Sequence, residues 1–353
     1  MTVRVALNGF GRIGRNIFRV LYDREDIEVA AICDVATPEQ LVYLLKYDSI
    51  SGPFREPLEI VNGKLSALGR LIPFVEGKKP GDVSWRRYDV DIVIEASGRY
   101  RSRDVLEKHL EAGARRVVLS SPPAGSIDAT VIHGVNEDTL NADSKIVSTG
   151  SISLNALVPV LHAIDRAFPI EEAFYNLVHA YTNEMSLADV SNNFGHEVMD
   201  DAPDNDLRRS RSAPMNIIPA STKQPVQLGG FLPHLEGRIG GMAMSAAVPD
   251  GSCIDLTTFH KGTFTAEELN AVMRSAAATR HDRVMEYCDE PIVSLDVSGN
   301  PHSAIFDSLM TSVIPDPDSE DRRSMVKTLT WYDNGWSFAH RVVDLVATLS
   351  KTL

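Results

Sequence analysis

Three glycines and one aspartate, by their spacing, are the residues of this chain most directly suited to bind a reactive ligand. An apolar, β-branched run from Val3 gives way to Gly9, Gly11 and Gly14 in VRVALNGFGRIGR. The pattern describes a strand that turns sharply and opens a helix over Arg15 to Tyr22. Gly9 permits the turn, Gly11 leaves no side chain between backbone and a pyrophosphate, and Gly14 lets the helix pack close to the strand. Phosphates would then lie on free N–H groups at a helix N-terminus. A second apolar run, Ile27 to Cys33, ends in Asp34. A carboxylate there, about 20 residues past the last glycine, accepts from adenosine ribose hydroxyls and repels a 2′-phosphate, which implies NAD rather than NADP. A tight turn in an ordinary βαβ unit is the plainer alternative.

The elements that must position these residues follow from periodicity. The first half alternates strand and helix patterns, as a doubly wound sheet requires. Glu39 to Tyr47 and Arg103 to Ala114 are predicted helices. Val90 to Glu95, Arg116 to Leu119, Val131 to Gly134 and Lys145 to Val147 are predicted strands. The strand ending at Glu95 opens into Ala96-Ser97-Gly98-Arg99, a small-residue turn at a carboxyl end, where such sheets bind ligands.

After about residue 155 the pattern changes. Asn155 to Ala167 is a predicted amphipathic helix. Longer strand-like runs follow: Ala173 to Tyr181, Gly241 to Val248, Ile254 to Phe259, Ile292 to Val297, Ser303 to Phe306 and Met325 to Tyr332. Long strands with few crossovers indicate a mixed sheet. The expected fold is α/β: a Rossmann-type doubly wound parallel sheet over residues 1–151 with a returning segment 334–353, and a second α+β domain of mixed sheet over 152–333. Ser186 to Arg211 is polar and reads as a long loop, a functional or mobile segment by its length.

With 353 residues, 43% hydrophobic and 24% charged, the composition is that of a soluble globular enzyme. A net charge of −13 argues against nucleic acid or an anionic membrane as main partner. No apolar stretch reaches transmembrane length, and the first residues enter a strand without a signal-peptide pattern, so a cytoplasmic location is expected. Cys33, Cys253 and Cys288 are scattered and include no C-x-x-C, so neither a disulfide framework nor a metal site is indicated.

The motifs NGFGRIGR, EASGRY, VHAYTNE, DLRRSR, NIIPAST and WYDN, in this order along the chain, resemble those of the glyceraldehyde-3-phosphate dehydrogenase superfamily. The resemblance implies that Gly9, Phe10, Gly11, Arg12, Ile13, Asp34, Ser97, Ser120 and Asn334 bind NAD, with Asn334 orienting the nicotinamide carboxamide. It implies that His179 is the catalytic base. It also implies that Ser151, Ser153, Thr182, Arg209 and Thr222 hold an anionic substrate or phosphate, and that the assembly is a homotetramer.

One departure is chemical. Where the resemblance places a nucleophilic cysteine at the start of the second domain's first helix, this chain has Ser151-Ile152-Ser153-Leu154-Asn155. Isoleucine can form no thiohemiacetal and hold no thioester. A second departure is Ser245, with Ala246 and Ala247, where the family's substrate-phosphate arginine is expected after Gly241-Met242-Ala243. A third is Lys223 in place of a family glycine. Three functions remain compatible with these residues. The first is an oxidoreductase working on a small anionic alcohol or aldehyde without a covalent intermediate. The second is a non-catalytic NAD-binding paralogue with a regulatory or partner-binding role. The third is a lyase or isomerase that recycles bound NAD.

Overall fold

The computed structural model describes residues 2–67, 69–182, 185–191, 206–220, 227–316 and 323–353. The chain divides into two compact units, Met1–Ser151 with Phe338–Leu353, and Ile152–Ser337.

Unit 1 contains β1 (Val3–Asn8), α1 (Arg12–Leu21), β2 (Ile27–Cys33), α2 (Pro38–Lys46), β3 (Glu59–Val61), β4 (Lys64–Ala67) and β5 (Arg70–Val75). It continues through β6 (Ile92–Glu95), α3 (Arg103–Glu111), β7 (Arg116–Leu119), β8 (Ala129–Thr130) and β9 (Ile146–Ser148). The sheet order is β3-β4-β5-β2-β1-β6-β7-β9-β8. β1 pairs in parallel with both β2 and β6. The chain therefore leaves the centre of the sheet in opposite directions after β1 and β6, which creates a crevice at their carboxyl ends. Val5, Leu7, Val93, Ile94, Val117 and Val118 are buried, as expected of strands covered on both faces.

Unit 2 begins with α4 (Ile152–Ala167), β10 (Ile170–Ala180), β11 (Ile218–Ala220), β12 (Ile239–Ala246) and β13 (Ser252–Lys261). Then follow α5 (Ala266–Ala277), β14 (Met285–Cys288), β15 (Ala304–Asp316) and β16 (Arg323–Tyr332). The last helix, α6 (Trp336–Ser350), carries the chain into unit 1. The order β11-β12-β10-β13-β16-β15-β14 is mixed, with β10–β12 and β14–β15 parallel. Both the doubly wound parallel sheet and the mixed sheet agree with the sequence reading.

Alternation sorts unit 2's strand residues by face. One face carries Tyr175, Leu177 and His179 of β10 beside Ala243 and Ser245 of β12, and α4 and α5 pack on this unit's sheet. The opposite face exposes Phe174, Met242, Phe259, Ile314 and Met325.

Two strand expectations are corrected. Val131 to Gly134 is not a strand; Ala129–Thr130 pairs with β9 instead, and the Asn136 side chain takes the Ile132 N–H at 2.8 Å. Ile292 to Val297 contains a three-ten turn over Ser294–Val297, closed by Val293 N–H to the Asp296 carboxylate at 2.7 Å, with Val293 and Leu295 exposed. Helix α1 starts at Arg12, ahead of the expected Arg15. Strands β3–β5, helix α5 and strand β14 were not foreseen. The strands are short or mixed in pattern and give no clean period, whereas α5 does carry one, in the Thr265/Glu268 capping box and in Leu269, Val272, Met273 and Ala276 at helical spacing.

Candidate functional site

The glycine turn is built from backbone constraints. Gly9 has φ +99°, and a Cβ on it would lie 2.4 Å from Ser97 N. A Cβ on Gly14 would meet the Gly9 carbonyl oxygen at 2.2 Å, so α1 crosses β1 in direct backbone contact. Gly11 differs: nothing lies within 4 Å of its Cβ position, it is exposed, and it caps α1 without any side-chain hydrogen bond. The turn thus presents open space over a helix start whose first N–H groups need acceptors. Arg12 and Ile13 form that first turn and are half-buried.

Asp34 is half-buried beyond β2. Its carboxylate accepts the Phe10 N–H at 2.6 Å and the Ala36 N–H at 2.9 Å. Phe10 itself is buried edge-on against Phe18, so what it contributes to the turn is backbone. Ser97 and Ser120 converge on Glu95: Ser97 donates its N–H and hydroxyl to the Glu95 carboxylate, and Ser120 donates its N–H and hydroxyl to the Glu95 carbonyl at 3.0 Å. An open approach at Gly11, uncapped helical N–H groups and a carboxylate at the end of β2 fit a dinucleotide with free ribose hydroxyls.

In unit 2, His179 lies near the end of β10, half-buried, with Nδ1 2.7 Å from the Tyr332 hydroxyl. Its lateral neighbour on β12 is Ser245, which is buried. One residue further, Ala180 N–H donates to Ser252 Oγ at 2.9 Å, and the Ser252 hydroxyl donates to Asn334 Oδ1 at 2.5 Å. Asn334 N–H donates to Asp250 at 3.1 Å. Ala180, the residue after His179 on β10, is therefore tied to Asn334 through the Ser252 hydroxyl. Tyr332, Ser252 and Asp250 escaped the sequence reading, although Tyr332 stands inside the WYDN motif that flagged Asn334.

The Asp333 carboxylate accepts the N–H groups of Gly299, Gly335 and Trp336. Burial, reinforced by the neighbouring Asp250 charge, pushes its pKa up to about 6.

Ser151 is half-buried just before α4, Ile152 is the helix's first residue, and Ser153 is buried in its first turn. Thr182 follows β10 and is half-buried. Arg209 is half-buried in a three-ten turn over Leu207–Ser210. Its neighbours are tied within the chain, Arg208 to Asp206 at 2.7 Å and Arg211 to Asp189 at 3.0 Å. Thr222 and Lys223 lie outside the described residues, as does the centre of the 186–211 loop.

None of the three cysteines is set up as a nucleophile. Burial raises the Cys33 thiol to about 12 and Cys253 to about 11, and raises Cys288 as well. Cys253 pairs with Val178, so by alternation it belongs to the sheet face opposite His179. Among the described residues, no group of His, Cys, Asp and Glu could hold a metal ion, and no helix is long and apolar enough to cross a membrane.

A glycine turn at the switch point of a doubly wound sheet places the chain among dinucleotide-binding proteins. Residues 3–103 match the profile described as glyceraldehyde 3-phosphate dehydrogenase, NAD binding domain, and residues 151–334 match glyceraldehyde 3-phosphate dehydrogenase, C-terminal domain. The chain is 41% identical over 349 residues to glyceraldehyde-3-phosphate dehydrogenase 2 of Bacillus subtilis, covering 98% of this chain and 96% of that protein. It is 39% identical to glyceraldehyde-3-phosphate dehydrogenase of Kitasatospora aureofaciens over 98% of this chain and 99% of the relative. It is 36% identical to that of Mycobacterium leprae over the full length of both. The chain belongs to the glyceraldehyde-3-phosphate dehydrogenase family, and its cofactor is NAD.

Proposed function

We propose that this chain is an atypical NAD-dependent oxidoreductase acting on a small anionic alcohol or aldehyde without a covalent thioester, and that it does not catalyse phosphorylating oxidation of glyceraldehyde 3-phosphate. The observation carrying this reading is the pairing of Ile152 at the start of α4 with a His179–Tyr332 contact. The sulfur is gone from the expected position, no other thiol is activated, and the proton-handling group is still held in place. Unit 1 serves as the cofactor unit and unit 2 as the substrate and oligomerisation unit.

Bound NAD supplies the hydride acceptor. With the imidazole proton on Nδ1 and donated to the Tyr332 oxygen, Nε2 carries the lone pair that takes a proton from a substrate hydroxyl or aldehyde hydrate. The imidazolium that results keeps the same bond to Tyr332. Asn334 has its side-chain oxygen occupied by Ser252, so its NH2 group is the end available to donate to a carboxamide oxygen. Ser151, Ser153, Thr182, Arg209 and Thr222 are the proposed anion ligands, with Arg209 supplying charge-assisted bonds. Ile152 would line a dry pocket beside the transferred hydrogen.

The exposed apolar face of Phe174, Met242, Phe259, Ile314 and Met325 supports burial against other copies of the chain, in a homotetramer. Three cysteines present as free thiols support a cytoplasmic location. The second reading, a non-catalytic NAD-binding paralogue, is favoured by one observation: the neighbour of His179 on β12 is the small neutral Ser245 rather than a cation.

The test is a screen of small hydroxy acids, aldehydes and their phosphates for NADH formation, with mass spectrometry of the protein after each turnover. The reading expects NADH from at least one anionic substrate and no covalent adduct. NAD binding with no turnover across the panel would leave the paralogue reading standing. The Ile152→Cys variant is expected not to oxidise glyceraldehyde 3-phosphate at a family-like rate, because Ser245 leaves the substrate phosphate without its arginine; robust activity would overturn the assignment of that anion site.

A further inference from the structure

Beneath the turn that faces Gly9 lies a buried set of polar side chains with no part in the chemistry above. Trp85, His109 and Glu95 are each no more than 1% exposed. The Trp85 indole N–H donates to His109 Nδ1 at 3.0 Å. An indole nitrogen can only donate, so Nδ1 carries no proton. The imidazole proton is therefore on Nε2, which lies 3.0 Å from Glu95 Oε2. Glu95 also accepts Asn8 Nδ2–H at 2.6 Å, Ser97 N–H at 3.0 Å and the Ser97 hydroxyl. Four donors and no acceptor face this carboxyl group, so every bond in the set has a fixed direction.

The direction leads to the dinucleotide turn. Asn8 ends β1 and Glu95 ends β6, the two strands that bound the crevice. Ser97 N is the atom that a side chain at position 9 would strike at 2.4 Å. The Ser97 hydroxyl, with its proton given to Glu95, accepts Arg99 N–H at 3.2 Å and so closes the Ala96–Arg99 turn. Its proton is thus committed within the protein, which makes Ser97 a brace for the turn.

We propose that Trp85, His109 and Glu95 are positioning residues of the cofactor site: a one-directional chain of hydrogen bonds from a buried indole holds Ser97 against Gly9 and thereby sets the affinity for NAD. The proposal rests on the NAD assignment. Replacing a member with a side chain of the same polarity should be tolerated, and reversing the polarity of one member should disturb the turn even without a change of shape.

Three variants separate these effects. His109→Gln can accept from the indole and donate to Glu95; His109→Leu can do neither; Glu95→Gln keeps the shape but places an NH2 group against donors. NAD dissociation constants are measured by calorimetry, and the Trp85 indole N–H resonance is followed in tryptophan-labelled protein and assigned with Trp85→Phe. NAD binding is expected to weaken about tenfold or more in His109→Leu and Glu95→Gln and to stay within about threefold of wild type in His109→Gln, the range expected for losing buried charge-assisted bonds. The indole resonance should move upfield in His109→Leu and return most of the way in His109→Gln. Folded His109→Leu and Glu95→Gln proteins that bind NAD as wild type does would overturn the proposal. So would a His109→Gln variant as weak as His109→Leu, since packing alone would then account for the loss. If His109→Leu does not fold, Glu95→Gln and Trp85→Phe decide by the same affinity criterion. Wild-type protein that bound no NAD would instead remove the cofactor assignment on which the proposal stands.

Discussion

The two units hold their functional groups by different means. In unit 1 the cradle is mostly backbone: Gly9 and Gly14 fit because adding a single carbon would collide with main chain at 2.4 and 2.2 Å. In unit 2 the proposed chemistry rests on individual side chains, His179 against Tyr332 and Asn334 against Ser252, at or just beyond the ends of strands whose backbone pairing does not use those side chains. The packed backbone positions, Gly9 and Gly14, cannot be changed without disturbing the fold, whereas a side-chain site can be edited one residue at a time. In the proposed function Ile152 and Ser245 are changes of the second kind, one at the start of α4 and one on β12, and both elements are intact.

The largest expected effect tests the backbone half of this contrast. Gly9→Ala should abolish measurable NAD binding and destabilise the protein by about 2 kcal/mol or more, since it combines a positive φ with a main-chain collision. Gly11→Ala should leave urea unfolding within about 0.5 kcal/mol of wild type, because its Cβ position is open, while still weakening NAD in calorimetric titration. Equal unfolding behaviour in the two variants would break the distinction.

The side-chain half predicts the reverse pattern. His179→Ala should lower turnover of the true substrate by about 10²-fold or more, the range for losing a general base, with NAD affinity unchanged. Tyr332→Phe should have a smaller effect on turnover and shift its pH profile, because it removes the partner of Nδ1 while leaving the ring. Steady-state rates with parallel NAD titrations check both, and unchanged turnover in His179→Ala would remove the histidine from the mechanism.

The smallest effect concerns pH. Burial and the Asp250 charge raise Asp333 to about 6. A carboxyl group whose pKa is higher in the folded than in the unfolded state opposes folding above the folded pKa, and the penalty fades as the pH falls toward the unfolded value. Asp250→Asn removes the like charge and keeps an acceptor for Asn334 N–H. The variant should be more stable than wild type by about 1 kcal/mol at pH 7.5, with the difference vanishing below pH 4 in urea unfolding curves. A difference independent of pH would mean that the two carboxyl groups do not interact.

The same contrast explains what could be read from the sequence. Glycine spacing, the acid after β2 and the change from alternating elements to long strands carry the fold, because each is a local rule expressed in consecutive residues. Val131 and Ile132 misled: they are apolar and buried, but Asn136 takes a backbone N–H there that a strand would have paired. Ile292 to Val297 misled in the same way, since Val293 and Leu295 are exposed on a turn. Ser252, more than 80 residues before Asn334, and Trp85 and Glu95, 24 and 14 residues before His109, gave no local signal. Their partnership exists only once strand, helix and turn have been brought together.

Helix α1 begins at a glycine with no side chain to cap it. A nucleotide phosphate seated there would complete the helix as well as bind to it, so the dinucleotide would act as a structural component of unit 1. Amide exchange in the first turn should slow on titration, and the protein's lifetime against proteases in the cell should rise and fall with the size of the dinucleotide pool.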